Sequence, residues 1–151
     1  LGDMNKNLGD DLDFDEIMRV INVNAIGTLR VTNALSSLVL NSTEKTIVNI
    51  SSEAGSIADC WRTGWFGYCM SKAANNMQSA LVHNNIQKLG GKVFAIHPGH
   101  VATYMRGHLD TTAKITPDVS AEGILHVVLD MPHPINSRPL YLDYTGKELP
   151  W

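Results

Sequence analysis

Tyr68 and Lys72 sit four residues apart in the stretch WFGYCMSKAANN, residues 65–76. Residues at i and i+4 lie on one face of a helix, so the phenol and the ammonium are expected side by side. A free phenol titrates near pH 10, and acting near pH 7 needs a drop of about 3 units, or ~4 kcal/mol. A lysine charge about 5 Å away supplies roughly 3 kcal/mol at an effective dielectric of 20. The pair therefore has the right magnitude for proton transfer to a carbonyl oxygen, or from an alcohol.

Two further polar groups of residues stand where such a pair could use them. Ser51-Ser52-Glu53-Ala54-Gly55 follows the apolar, β-branched run KTIVNIS (45–51), and Pro98-Gly99-His100-Val101-Ala102-Thr103 closes the run KVFAIHPG (92–99). Ligands of open α/β sheets bind at the carboxyl ends of the strands, so both groups fall on the functional rim. Ser52 would hold a substrate oxygen beside Tyr68. Asn24 is a polar residue on an apolar helical stripe. His97 and His100 have no further ligand at metal-binding spacing, and no metal site is expected. The chain lacks the G-x-S-x-G elbow of a serine hydrolase. Trp61, Trp65, Phe66 and Tyr104 suit a hydrophobic substrate pocket, and suit core packing or a subunit contact equally well.

The elements that must position these residues follow from periodicity. Residues 1–12 read as a loop. Asp13 opens a helix, with Glu16 at capping-box spacing, that carries Ile17, Ile21, Asn24, Leu35 and Leu38 to about Val39. Strands are expected at 45–51, 92–99 and 138–144. Helices are expected at 68–89, ended by Gly90-Gly91, and at 116–130, with Pro117 in the first turn. Near-continuous apolar strands alternating with helices imply an α/β fold with a doubly wound parallel sheet, buried on both faces. The 151 residues are 44% hydrophobic with a net charge of −3, enough apolar matter for one domain and no basic stripe for nucleic acid. No apolar run has the ~18 residues of a membrane helix. The opening residues are not those of a signal peptide. Cys60 and Cys69 are expected as free thiols of a reducing compartment, which places the protein in the cytoplasm.

The segments NVNAIG (22–27), IVNISSEAG (47–55), YCMSK (68–72) and HPGHVAT (97–103) occur in the order found in short-chain dehydrogenases/reductases, and the chain resembles that family over essentially its whole length. The separation of Ser52 from Tyr68 and the ending YTGKELPW (144–151) are similar to its C-factor and sniffer-type carbonyl reductases. The resemblance implies a Rossmann-like fold and NAD(P)-dependent reduction of a small carbonyl compound or oxidation of an alcohol, with NADP or NAD as coenzyme. It makes Asn24, Ser52, Tyr68 and Lys72 the catalytic set. Tyr68 is then the general acid/base, Lys72 bonds the nicotinamide ribose, and Asn24 holds a water that contacts Lys72. Pro98, Gly99, Val101 and Thr103 join Asn24, Tyr68 and Lys72 at the coenzyme. Family members pair the helices equivalent to 13–39 and 68–89, so a homo-oligomer is expected. The family's glycine-rich coenzyme half is not in these residues, so residues 1–151 are expected to be the catalytic half of a longer domain. The alternative is a non-enzymatic remnant acting as a binding or interaction module.

Overall fold

A computed structural model describes residues 4–131 and 138–151. Three parallel strands form one sheet in the order β1 (Thr46–Ile50), β2 (Lys92–His97), β3 (Leu140–Asp143). The expected parallel α/β architecture is what the chain adopts. Helices α1 (Phe14–Ile21), α2 (Thr28–Asn41), α3 (Phe66–Ile86) and α4 (Pro117–Asp130) connect and cover the strands. β2 lies in the middle, and Val93, Phe94, Ala95 and Ile96 are all buried. That explains why its sequence is an unbroken apolar run rather than an alternation. Phe94, Ile96, Val127 and Leu142 form the core, with Val48, Ile124, Val128 and Leu140 packed around them. Burying each large side chain there contributes on the order of 1.5–3 kcal/mol.

The ends of the helices follow local chemistry. Asp13 caps α1 by accepting the Glu16 N–H at 2.9 Å, and the Glu16 carboxylate pairs with Arg19 at 2.7 Å. Thr116 caps α4 through the Val119 N–H, with Pro117 at the first helical position. α3 begins two residues earlier than expected and gives way at Gln87–Leu89 to a 3₁₀ turn. Gly90 closes that turn at φ +82°.

Three features of the helices matter for the site. First, the single helix expected over 13–39 is interrupted by a π-helical turn at Asn22–Gly27, which carries Asn24. Second, α2 buries none of its residues, and Leu35 and Leu38 are exposed. Third, α3 turns a polar face inward. Its buried residues include Ser71, Asn75, Asn76, Gln78, Ser79 and His83, while Met70, Met77 and Leu81 face outward. The buried polar face is bonded to the sheet and to itself. Asn49 Nδ2 donates to Ser79 Oγ at 2.8 Å, Ser51 Oγ donates to Asn76 Oδ1, and Asn75 Nδ2 donates to the Ile50 carbonyl at 3.3 Å. Buried polar groups are tolerated when bonded in this way.

Candidate active site

Ser52 is the second residue past β1. The Ser51 N–H extends the ladder to the Ile96 carbonyl at 2.7 Å, and Ser52 then leaves the sheet to cap the short turn Glu53–Gly55. Its carbonyl is held by the Tyr141 hydroxyl at 2.5 Å, from the centre of β3. Its Oγ accepts the Ala54 N–H at 3.2 Å and acts on the Tyr68 phenol, whose titration it lowers. Sequence reasoning missed Tyr141. Its only signal is a phenol within an otherwise apolar strand, where burial demands a partner for the hydroxyl.

Tyr68 and Lys72 lie on one face of α3, as their spacing predicts, with Lys72 Nζ 5.7 Å from the Tyr68 ring centroid. Lys72 Nζ donates to the Ile50 carbonyl at 3.0 Å, so the last carbonyl of β1 aims the ammonium. Gly55 is what lets Ser52 approach. A Cβ there would lie 2.8 Å from the backbone carbonyl of Lys72. Backbone cannot swing aside as a side chain can, so Gly55→Ala is expected to destabilise the fold by about 1–3 kcal/mol, the usual overpacking cost. Urea denaturation measures this. An unchanged midpoint would show that the turn after Ser52 does not press on α3.

Asn24 reaches the same helix. Its Nδ2 donates to Ser71 Oγ at 3.0 Å, and Ser71 Oγ donates to the Tyr68 carbonyl at 2.7 Å. Thr28 Oγ1 donates to the Asn24 carbonyl at 2.8 Å within the π-distorted region. Such π turns are often found at functional sites. The structure therefore ties Asn24 to the residue just before Lys72.

Pro98, Gly99 and Val101 follow the carboxyl end of β2. The Pro98 carbonyl accepts the Ser120 hydroxyl at 2.6 Å, which docks the turn on α4. Gly99 has φ +85°, and a Cβ there would meet Ile115 Cδ1 at 2.7 Å. Val101 bridges to Ile115. Thr103 is exposed, and its carbonyl accepts the Asp110 N–H at 3.0 Å. Asp110 is the hub of this loop, accepting from Arg106 at 3.0 Å and from the Thr112 hydroxyl at 2.6 Å, with His100 Nε2 at 2.9 Å. These bonds hold its carboxyl far below the ordinary carboxylate range.

Burial adds its own electrostatic cost at the pair. Burial raises the Tyr68 phenol above its ordinary value of 10.0, outweighing the Ser52 hydrogen bond that lowers it. Burial likewise lowers the Lys72 ammonium. Desolvation penalises both charged forms. Tyr68 is thus held as a protonated donor at neutral pH.

The aromatic residues divide. Trp65 and Phe66 line a cavity of about 160 Å³ with Met4, Ile17, Val20 and Tyr68, whereas Trp61 and Tyr104 are exposed. A larger cavity of about 590 Å³ lies along α3 between Ile57, Ala80 and Trp151 and is lined by none of the four catalytic candidates. Cys60 and Cys69 are free thiols. Among the described residues, no helix is long and apolar enough to cross a membrane.

A parallel α/β sheet with serine, tyrosine and lysine gathered at the carboxyl end of one strand defines a class of oxidoreductase scaffold. Residues 4–114 match the family model described as short chain dehydrogenase, and the chain belongs to that family of oxidoreductases. It is 35% identical to C-signal of Myxococcus xanthus over 141 residues, covering 93% of this chain and 82% of that protein. It is 33% identical to 1-hydroxy-2-glutathionyl-2-methyl-3-butene dehydrogenase of Rhodococcus sp. (strain AD45), covering 93% of this chain and 61% of that one. The structure of NADPH-bound carbonyl reductase from chicken fatty liver superposes with a TM-score of 0.82 at 30% identity, covering 96% of this chain and 61% of that one. The chain thus spans about three-fifths of the length of the dehydrogenase and of the carbonyl reductase it matches.

Proposed function

We propose that residues 1–151 are the catalytic half of an NAD(P)-dependent carbonyl reductase, with NADP as the expected coenzyme. The observation that carries this reading is the Tyr68 phenol, raised by desolvation beside Ser52, with an ammonium 5.7 Å from its ring centroid. The donor set fits the nicotinamide end of a dinucleotide. Lys72 Nζ has three N–H groups, one of which serves Ile50, so others are left for ribose hydroxyls. Gly99 turns the chain with no room for a side chain. Among the described residues, no glycine-rich turn joins a strand to a helix to take the pyrophosphate, as this fold requires. The reading therefore places that turn in a further half, on the open side of β1. Ile50 is exposed there, and α2 has no buried residue.

The dihydronicotinamide supplies the hydride that this reduction needs. Ser52 donates to the substrate carbonyl oxygen and holds it beside Tyr68. The Tyr68 hydroxyl gives that oxygen its proton, and Lys72 stabilises the phenolate that results. Asn24, through Ser71, fixes the turn of α3 that carries both. NADP is preferred because carbonyl reductase from chicken fatty liver, similar over nearly all of this chain, is bound to NADPH. The test is loss of NADPH absorbance on adding a diketone or an aldehyde to the protein carrying the whole family domain. No turnover with either class would sink the reading.

A homo-oligomer is part of the same proposal. Val23, Leu29, Val31, Met70, Met77 and Leu81 are exposed on the π turn, α2 and α3. A patch of this kind marks an interface. Light scattering at micromolar concentration is expected to give at least a dimer mass, and a monomer would count against it.

A further inference from the structure

Arg62 stands in the connection between Ser52 and Tyr68, and none of the roles above uses it. Its side chain is nine-tenths buried, with 10% exposed, although it carries a full charge. One Nη2 donates to Glu53 Oε1 at 2.6 Å, and Glu53 is the residue directly after Ser52. The guanidinium carbon lies 4.5 Å from the Trp61 ring centroid and 5.2 Å from that of Trp65. Its Nε makes no hydrogen bond among the described residues, so the indole rings are the partners beside it. Such cation–aromatic contacts gain strength when desolvated.

Trp65 connects this cluster to the phenol. Its ring meets the Tyr68 ring edge to face, with centroids 6.1 Å apart and planes at 71°. Trp65 is also the residue before α3 and holds a left-handed backbone, φ +63° and ψ 29°. A residue with a Cβ pays roughly 1–2 kcal/mol for that conformation, so neighbours must hold it. Three do. The Trp65 N–H donates to the Met4 carbonyl at 3.0 Å, the Arg62 charge stacks on its ring, and Tyr68 packs on its other contacts. Both anchors of the Tyr68–Ser52 contact therefore lead to one side chain. Glu53 fixes the serine side, and Trp65 fixes the tyrosine side.

Resting on the carbonyl reductase reading, we propose that Arg62 is a positioning residue, a strut from Glu53 to Trp65 that sets the Tyr68–Ser52 geometry. Lysine cannot replace it, because an ammonium lacks the planar fork that bonds Glu53 while stacking on two rings. A displacement of about 1 Å at a reacting group can cost on the order of 10²-fold in rate.

The test uses the protein carrying the whole family domain, with a diketone and NADPH. Arg62→Ala is expected to lower kcat by about 10–100-fold, the scale of such a displacement. KM for the diketone and Kd for NADPH should stay within a few-fold. Arg62→Lys should recover little of the rate. Glu53→Gln, at a residue half-exposed to solvent, should reproduce the kcat loss in smaller measure without unfolding. If Arg62→Ala does not fold, the other two variants decide. Wild-type rates in Glu53→Gln and Arg62→Lys would overturn the proposal, and so would a loss confined to KM, which would make Arg62 a substrate contact. An inactive wild-type protein would instead overturn the reductase reading on which the proposal rests.

Discussion

Replacing Tyr68 with phenylalanine is expected to lower kcat for carbonyl reduction by about 10²–10⁴-fold, the usual worth of a general acid. The phenyl ring keeps its edge-on contact with Trp65, and only the hydroxyl is lost. NADPH affinity should therefore stay close to wild type by titration calorimetry. The pH dependence follows from the raised phenol. A pKa above the ordinary 10.0 keeps the donor protonated through neutral pH, so the chain's own groups give no loss of reduction until the pH rises past that value. Alcohol oxidation needs the deprotonated phenol and gains as pH rises. Steady-state rates in the protein carrying the whole family domain decide the matter. A variant that keeps more than about a tenth of wild-type kcat removes Tyr68 from the acid role.

Residues 1–151 expressed alone are expected neither to bind NADPH or NADH at micromolar concentration nor to run as a monomer. β1 pairs with β2 on one side, and among the described residues no strand pairs with its other side. An edge of that kind offers unpaired N–H and C=O groups to another chain. The apolar residues Leu29, Val31, Leu35 and Leu38 of α2 are exposed as well. Coenzyme affinity drops out because no described element supplies phosphate-binding amides at a helix start. Titration calorimetry and size-exclusion chromatography on this segment provide the check. A clean monomer with micromolar affinity for either coenzyme would overturn the idea that a further half completes the domain.

The sequence by itself determined the parallel sheet, because three apolar runs separated by helical patterns allow little else. It also determined the Tyr68–Lys72 face, because helical geometry is local and i, i+4 neighbours need no tertiary information. The cap Asp13 was legible for the same reason. Only the tertiary structure decided which way α3 faces. Its sequence carries polar and apolar residues on both sides. The polar side turns inward because Asn49, the Ile50 carbonyl and Ser51 offer it partners. The π turn at Asn24, the Tyr141 hydroxyl on Ser52 and the Arg62 bridge were likewise out of reach, since each joins residues distant in sequence or reflects packing rather than pattern. The phenol's protonation was the plainest case. Charge spacing along a helix gives an attraction, but burial sets the desolvation cost. That cost depends on the sheet and loops folded around Tyr68, and it raises the phenol.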